Sequence, residues 1–195
     1  MRNCLVINLD RCSGCESCVV SCKFENNLPL GINWNRVVPV GPSGTFPHIE
    51  MYWLPGQCQQ CSNPACVKVC PTGASYCDSK TGVVLIDKMK CIGCRYCEYA
   101  CPYGVRVYNE EQHVIEKCTL CSHLTSDGSG LPACVEICTT GARFFGDLDD
   151  PNSAVSKELG KYPAESIHTL PDTAGTHPST RYILSPSIAK WKELS

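Results

Sequence analysis

Cys91-Ile92-Gly93-Cys94-Arg95-Tyr96-Cys97-Glu98-Tyr99-Ala100-Cys101-Pro102 sets three cysteines two residues apart and a fourth one helical turn further on. Outward from this stretch the same spacing returns, without the proline, at Cys12, Cys15, Cys18 and Cys22. Cys58-x2-Cys61-x4-Cys66-x3-Cys70-Pro71 and Cys118-x2-Cys121-x12-Cys134-x3-Cys138 complete four groups of four. Of the 18 cysteines, Cys4 and Cys77 alone stand outside them, and read as small buried hydrophobes or inert thiols.

The rest of the composition sets bounds. A chain of 195 residues is one compact unit or two small ones, which excludes a long multidomain enzyme. Its formal charge of −2 leaves no electrostatic footprint for nucleic acid. The 43% hydrophobic content includes the cysteines, so the apolar core is thin and metal or covalent links must supply what burial does not. No stretch approaches the ~18 apolar residues of a membrane span. Met1 to Asp10 lacks the pattern of a secretory signal. The default location is therefore the reducing cytoplasm, where clustered cysteines bind metal or do redox work; export with a signal-bearing partner is the alternative.

The first and third groups share the spacing of the bacterial ferredoxin run. A [4Fe–4S] cube asks for a thiolate at each of four iron corners, and three cysteines two residues apart wrap one cube and reach three of them. The fourth lies a turn away and, in two-cluster ferredoxins, ligates the neighbouring cluster. Gly14 and Gly93 suit a loop whose backbone approaches sulfur closely and takes positive φ.

The repetition extends beyond cysteine. Leu5-Val6-Ile7-Asn8 aligns with Val84-Leu85-Ile86-Asp87 at a constant offset of 79, each a short strand feeding a cysteine loop. Cys70-Pro71-Thr72-Gly73-Ala74 returns as Cys138-Thr139-Thr140-Gly141-Ala142, which points to internal duplication. Asp78 to Gly82 and Tyr108 to Gln112 read as hairpin turns, Gly41 to Thr45 as a turn, and His48 to Leu54 as a strand. Short strands alternating with short helices give an α+β, ferredoxin-like pattern.

With these motifs in order, the chain resembles the four-cluster iron–sulfur subunits of the dimethyl sulfoxide reductase family of molybdenum and tungsten enzymes. The likeness runs from about residue 4 to 155 and is closest over Cys58 to Pro71, Cys91 to Gly104 and Phe145 to Ser153. It implies two ferredoxin-like 2[4Fe–4S] modules: 1–44 with 105–146, from the first and fourth motifs, and 45–104, from the second and third. It further implies four [4Fe–4S] clusters. One would sit on Cys12, Cys15, Cys18 and Cys138, and its neighbour on Cys118, Cys121, Cys134 and Cys22. The other module would use Cys58, Cys61, Cys66 and Cys101, then Cys91, Cys94, Cys97 and Cys70. The sequence departs from the family pattern at Thr139, where a proline usually follows the last cysteine.

Other readings compete. Disulfides fit poorly, because partners would sit two residues apart on one loop. Zinc is the stronger alternative, since the fourth motif alone passes for a zinc ribbon, though it would strip the first of its exchanged ligand. Lys23, Lys68, Lys88, Lys90, Arg95 and Lys117 adjoin ligands and can raise cluster potentials or simply be solvated. The five histidines show no ligand or nucleophile pairing, and Gly41 to Thr45 lacks a phosphate-loop ending.

Residues 147–195 carry no cluster ligand and spread five prolines through polar sequence. They read as an extended arm ordering against a larger subunit through Tyr162, Tyr182-Ile183-Leu184 and Trp191, with a disordered terminus as the alternative. A row of redox centres without base or nucleophile is a conductor of single electrons, not itself an enzyme. The resemblance implies a partner carrying a molybdopterin-type cofactor, with a quinol-oxidising membrane anchor or soluble carrier at the other end. A free polyferredoxin and a zinc-scaffolded interaction protein are the alternatives.

Overall fold

The computed structural model describes residues 1–192. Strand β1 (Asn3–Asn8) feeds the first cysteine loop and helix α1 (Ser17–Glu25), and a hairpin of β2 (Asn35–Thr45) and β3 (His48–Gln57) follows. The second motif carries α2 (Ala65–Lys68) and runs into the hairpin β4 (Ser75–Cys77) and β5 (Val84–Ile86). The third carries α3 (Tyr96–Tyr99) before the hairpin β6 (Val107–Asn109) and β7 (Val114–Glu116). The fourth contains α4 (Ser122–Thr125) and α5 (Ala133–Glu136), and is followed by β8 (Arg143–Asp147), α6 (Ala154–Leu159), β9 (Ile167–His168) and β10 (Arg181–Ile183). Among the described residues no helix is long and apolar enough to cross a membrane.

The hairpin turns expected at Asp78 to Gly82 and Tyr108 to Gln112 join β4 to β5 and β6 to β7. Gly41 to Thr45 is a correction: it completes β2, with a register shift between Val40 and Ser43, and the chain reverses at Phe46 and Pro47. The irregularity absorbs Pro42, which has no N–H to give a regular ladder. The expected boundary between residues 44 and 45 falls beside the tip of this hairpin.

β1 is buried at every position because it lies inside a sheet of order β8-β1-β10-β9, antiparallel to β8 and parallel to β10. Its alternating side chains divide two cores, as a period of two requires. Leu5 and Ile7 face the larger core with Tyr182 and Leu184, whereas Cys4 and Val6 face a smaller one with Val155 and Ile183.

The reading of 147–195 as an extended arm is thereby corrected. Tyr182 and Ile183 are fully buried within this chain, and the Tyr182 hydroxyl donates to the Pro55 carbonyl at 3.1 Å. Trp191 stacks on His168 with centroids 4.7 Å apart and lies against Tyr52 and Tyr182. The Tyr162 hydroxyl accepts a hydrogen bond from Asn8 Nδ2 at 2.7 Å. The physical reason lies in β1: a strand buried on both faces needs a ladder partner on both edges, and β10 supplies the second.

Local hydrogen bonds fix the path into this tail. Partial burial works against the charge of the Asp147 carboxylate, but its Oδ1 accepts the Arg2 N–H at 2.7 Å and the Asp149 N–H at 3.0 Å, and these hold its pKa below the usual carboxylate range. Ser153 then caps α6 by accepting the Ser156 N–H at 3.2 Å.

Candidate metal centres

Two pairings bring distant motifs together. β1 precedes the first motif and pairs with β8, which follows the fourth; β5 precedes the third and pairs with β4, which follows the second. The motif helices obey the same rule, with α1 packed on α5 and α2 on α3.

Three hollows result. Cys12, Cys15, Cys18 and Cys138 line one. Cys22, Cys118, Cys121 and Cys134 line another, and Cys70, Cys91, Cys94 and Cys97 the third. The remaining thiols, Cys58, Cys61, Cys66 and Cys101, are close enough to act on one another electrostatically. Each quartet thus combines three cysteines of one motif with one of another. Among the described residues no three Cys, His, Asp or Glu side chains converge as ligands of a single metal ion.

The loops owe their shape to left-handed backbone at matching positions. Gly14 and Glu16 of the first loop have φ of 70° and 59°, and Gly93 and Arg95 of the third have 67° and 64°. The glycines were legible in the sequence as such positions; Glu16 and Arg95 were not. A Cβ on Gly14 would lie 2.3 Å from the Trp53 ring, so β3 clamps the first loop through its tryptophan. Gly14→Ala is expected to cost about 1–2 kcal/mol in backbone strain plus this clash, and to lower iron content. Gly31 has φ of 83° and open space around it, so Gly31→Ala isolates the backbone cost. Equal losses in the two variants, read by iron assay and thermal melting, would remove the Trp53 contact from the explanation.

The electrostatics suit a sulfide-rich anion. Burial pushes the Cys22 and Cys61 thiols up to about 12 and raises the Cys118 thiol well above its usual value, so the protein alone does not favour thiolates there. Cys15, exposed, is brought down to about 7 by the hydroxyl and N–H of Ser17. Backbone N–H groups of Ser75 and Ala142 donate to Cys70 Sγ and Cys138 Sγ at 3.3 and 3.2 Å.

Of the six cations flanking ligands, Lys117 is buried and donates from Nζ to the carbonyls of Val84 and Cys118. Lys88, Lys90 and Arg95 are exposed and paired with Glu116, Asp87 and Glu98. Two buried cations escaped sequence reasoning, Arg106 and Arg143. Burial opposes their charge, but the thiols of Cys66 and Cys97 around Arg106, and of Cys134 and Cys18 around Arg143, raise both guanidinium pKa values. A repeated signal was available: Cys101-x2-Gly104-x-Arg106 and Cys138-x2-Gly141-x-Arg143 have the same spacing. Cys4 is buried, its thiol pushed up to about 12 by desolvation, and Cys77 is exposed.

Residues 49–148 match the family described as the 4Fe-4S dicluster domain. A Halobacterium salinarum protein provisionally named as a dimethyl sulfoxide reductase iron–sulfur subunit is 46% identical, the match covering 96% of this chain and 82% of that one. A sulfite dehydrogenase subunit of Allochromatium vinosum is 42% identical over 92% of this chain and 81% of its own. The arsenate respiratory reductase iron–sulfur subunit of a Shewanella species is 35% identical over 95% and 97%. With four cysteine quartets, crossed pairing of motifs and these relatives, the chain belongs to the iron–sulfur electron-transfer subunits of the dimethyl sulfoxide reductase family of molybdopterin oxidoreductases.

Proposed function

We propose that the chain holds four [4Fe–4S] clusters, two in each of two ferredoxin-like modules, and passes single electrons between a molybdopterin-bearing catalytic subunit and a quinol-oxidising membrane anchor or soluble carrier. The ligand sets are Cys12, Cys15, Cys18 and Cys138; Cys22, Cys118, Cys121 and Cys134; Cys58, Cys61, Cys66 and Cys101; and Cys70, Cys91, Cys94 and Cys97. The observation carrying this reading is the exchange of the fourth cysteine: Cys138 lines the hollow of the first motif, Cys22 that of the fourth, and Cys70 that of the third. A zinc ribbon on the fourth motif has no use for that exchange.

The clusters supply one-electron redox chemistry when bound. The chain's own residues hold them, donate N–H groups to the ligating sulfurs and exclude water. The quartets are ordered for relay: the Cys118 thiol of one module is close enough to feel Cys58 of the other. At the outer ends, Cys15 and Cys94 are exposed, where a partner's redox group can approach.

Anaerobic preparations are expected to be brown, with iron and acid-labile sulfide each about sixteen per chain, and the complex to copurify with molybdenum or tungsten. Cys138→Ala separates the two metal readings. Under exchange it removes the signal of the cluster on Cys12, Cys15 and Cys18 and spares the one on Cys118, Cys121 and Cys134. A zinc-rich, sulfide-poor protein, or a variant that loses only the fourth-motif metal, would overturn the assignment. A monomer with clusters and no molybdenum or tungsten would favour a free electron carrier.

A further inference from the structure

Arg143 and Arg106 are 4% and 3% exposed, and among the described residues neither belongs to an ion pair with a carboxylate. An arginine stays charged in proteins, and a buried charge without a counter-charge is strongly unfavourable. Each guanidinium has one oxygen anchor: Arg143 Nη2 donates to Asn35 Oδ1 at 3.1 Å, and Arg106 Nη2 to Ser75 Oγ at 2.8 Å. The Cys134 and Cys97 sulfurs lie within hydrogen-bond reach of the two guanidinium groups. The Nη1 of each is buried with no partner in the protein.

Their positions explain what those free groups meet. Arg143 lines both hollows of its half of the chain, with Cys12, Cys15, Cys18 and Cys138 on one side and Cys22, Cys118, Cys121 and Cys134 on the other. Arg106 lines the hollow of Cys70, Cys91, Cys94 and Cys97 and also acts electrostatically on Cys58 and Cys66 of the adjoining quartet. The two share one spacing, each five residues after the last cysteine of a motif, Cys138 and Cys101. The neighbouring Lys88, Lys90 and Arg95 differ, because solvent and carboxylates screen them.

We propose that Arg143 and Arg106 are redox-positioning residues, each a fixed positive charge shared by two adjoining clusters, Arg143 by those of the first and fourth motifs and Arg106 by those of the second and third, raising both reduction potentials together and keeping the pair close in energy. A one-electron reduction adds negative charge to a cluster, and a buried cation beside it stabilises the reduced form more than the oxidised one. A charge between two clusters acts on both, which keeps the step between them shallow in either direction. The inference rests on the cluster assignment proposed above.

The test is a potentiometric titration followed by electron paramagnetic resonance on the intact complex. Arg143→Gln is expected to leave iron content unchanged and to lower two of the four potentials. Each should fall by at least a tenfold change in reduction equilibrium, about 59 mV for a one-electron couple. Arg106→Gln should lower the other two, and Arg143→Lys and Arg106→Lys should restore most of each shift, since Lys keeps the charge without the planar fork. Unmoved potentials, a shift in one cluster alone, or a uniform shift of all four would overturn the proposal. So would loss of iron from both Gln variants, which would assign the arginines to folding. A wild-type complex without four titrating centres would instead defeat the cluster assignment, a result distinct from four centres that ignore the substitutions.

Discussion

Stripping the iron from this chain under anaerobic conditions is expected to abolish its fold. α2, α3, α4 and α5 are four residues each, far below the length at which a helix persists unaided. The hairpins β4–β5 and β6–β7 have three-residue strands, and isolated two-stranded hairpins are marginal in water. Much of the buried apolar inventory is itself cysteine: Cys18, Cys22, Cys58, Cys118 and Cys134 belong to the main cluster of packed residues. Metal binding free energy is then folding free energy. Far-ultraviolet circular dichroism before and after chelation checks this, and a cooperative melt surviving in iron-free protein would refute it.

Deleting the chain after Asp150 is expected to be nearly as damaging. The deletion removes α6, β9 and β10, and with them Val155, Tyr182, Ile183 and Leu184, each at most 1% exposed. At about 1.5–3 kcal/mol for each large apolar side chain buried, the loss rivals the ~5–15 kcal/mol that holds a typical domain folded. β1 would lose its partner on one edge, and its Leu5 and Ile7 line the core that backs the first hollow. Iron should fall toward half of the full-length value, the second and third motifs being the survivors. An extended arm would give a different result, with association lost and iron intact. Full iron in the truncated chain would therefore restore the arm.

The contrast shows what the sequence could reveal. Cysteine spacing exposed the four motifs because their members lie close together in the chain; which motif lends its fourth cysteine to which was implied by the family resemblance alone. The turns at Asp78 to Gly82 and Tyr108 to Gln112 were legible for the same reason, since both strands of each hairpin lie next to the turn. β10 was not, because Arg181, Tyr182 and Ile183 form three residues of strand whose register partners are Val6, Ile7 and Asn8, at the other end of the chain. No periodicity in so short a run announces a parallel partner at that distance. Arg106 and Arg143 hid differently: an isolated arginine reads as a solvated side chain until the fold closes over it. Gly41 to Thr45 carried the composition of a turn, but its pairing with β3 continues past the irregularity to Thr45 and His48.

The parallel ladder between β1 and β10 also sets the order of events during synthesis. β1 leaves the ribosome before the other strands of its sheet and β10 after them, so β1 waits, incompletely paired, while nearly everything between the two is translated. The second and third motifs need no such wait, because β4 and β5, which bring them together, are neighbours in the chain. Maturation is therefore expected to run from the middle outward, a nascent polypeptide stalled before Arg181 having its second and third motifs paired while β1 still lacks β10.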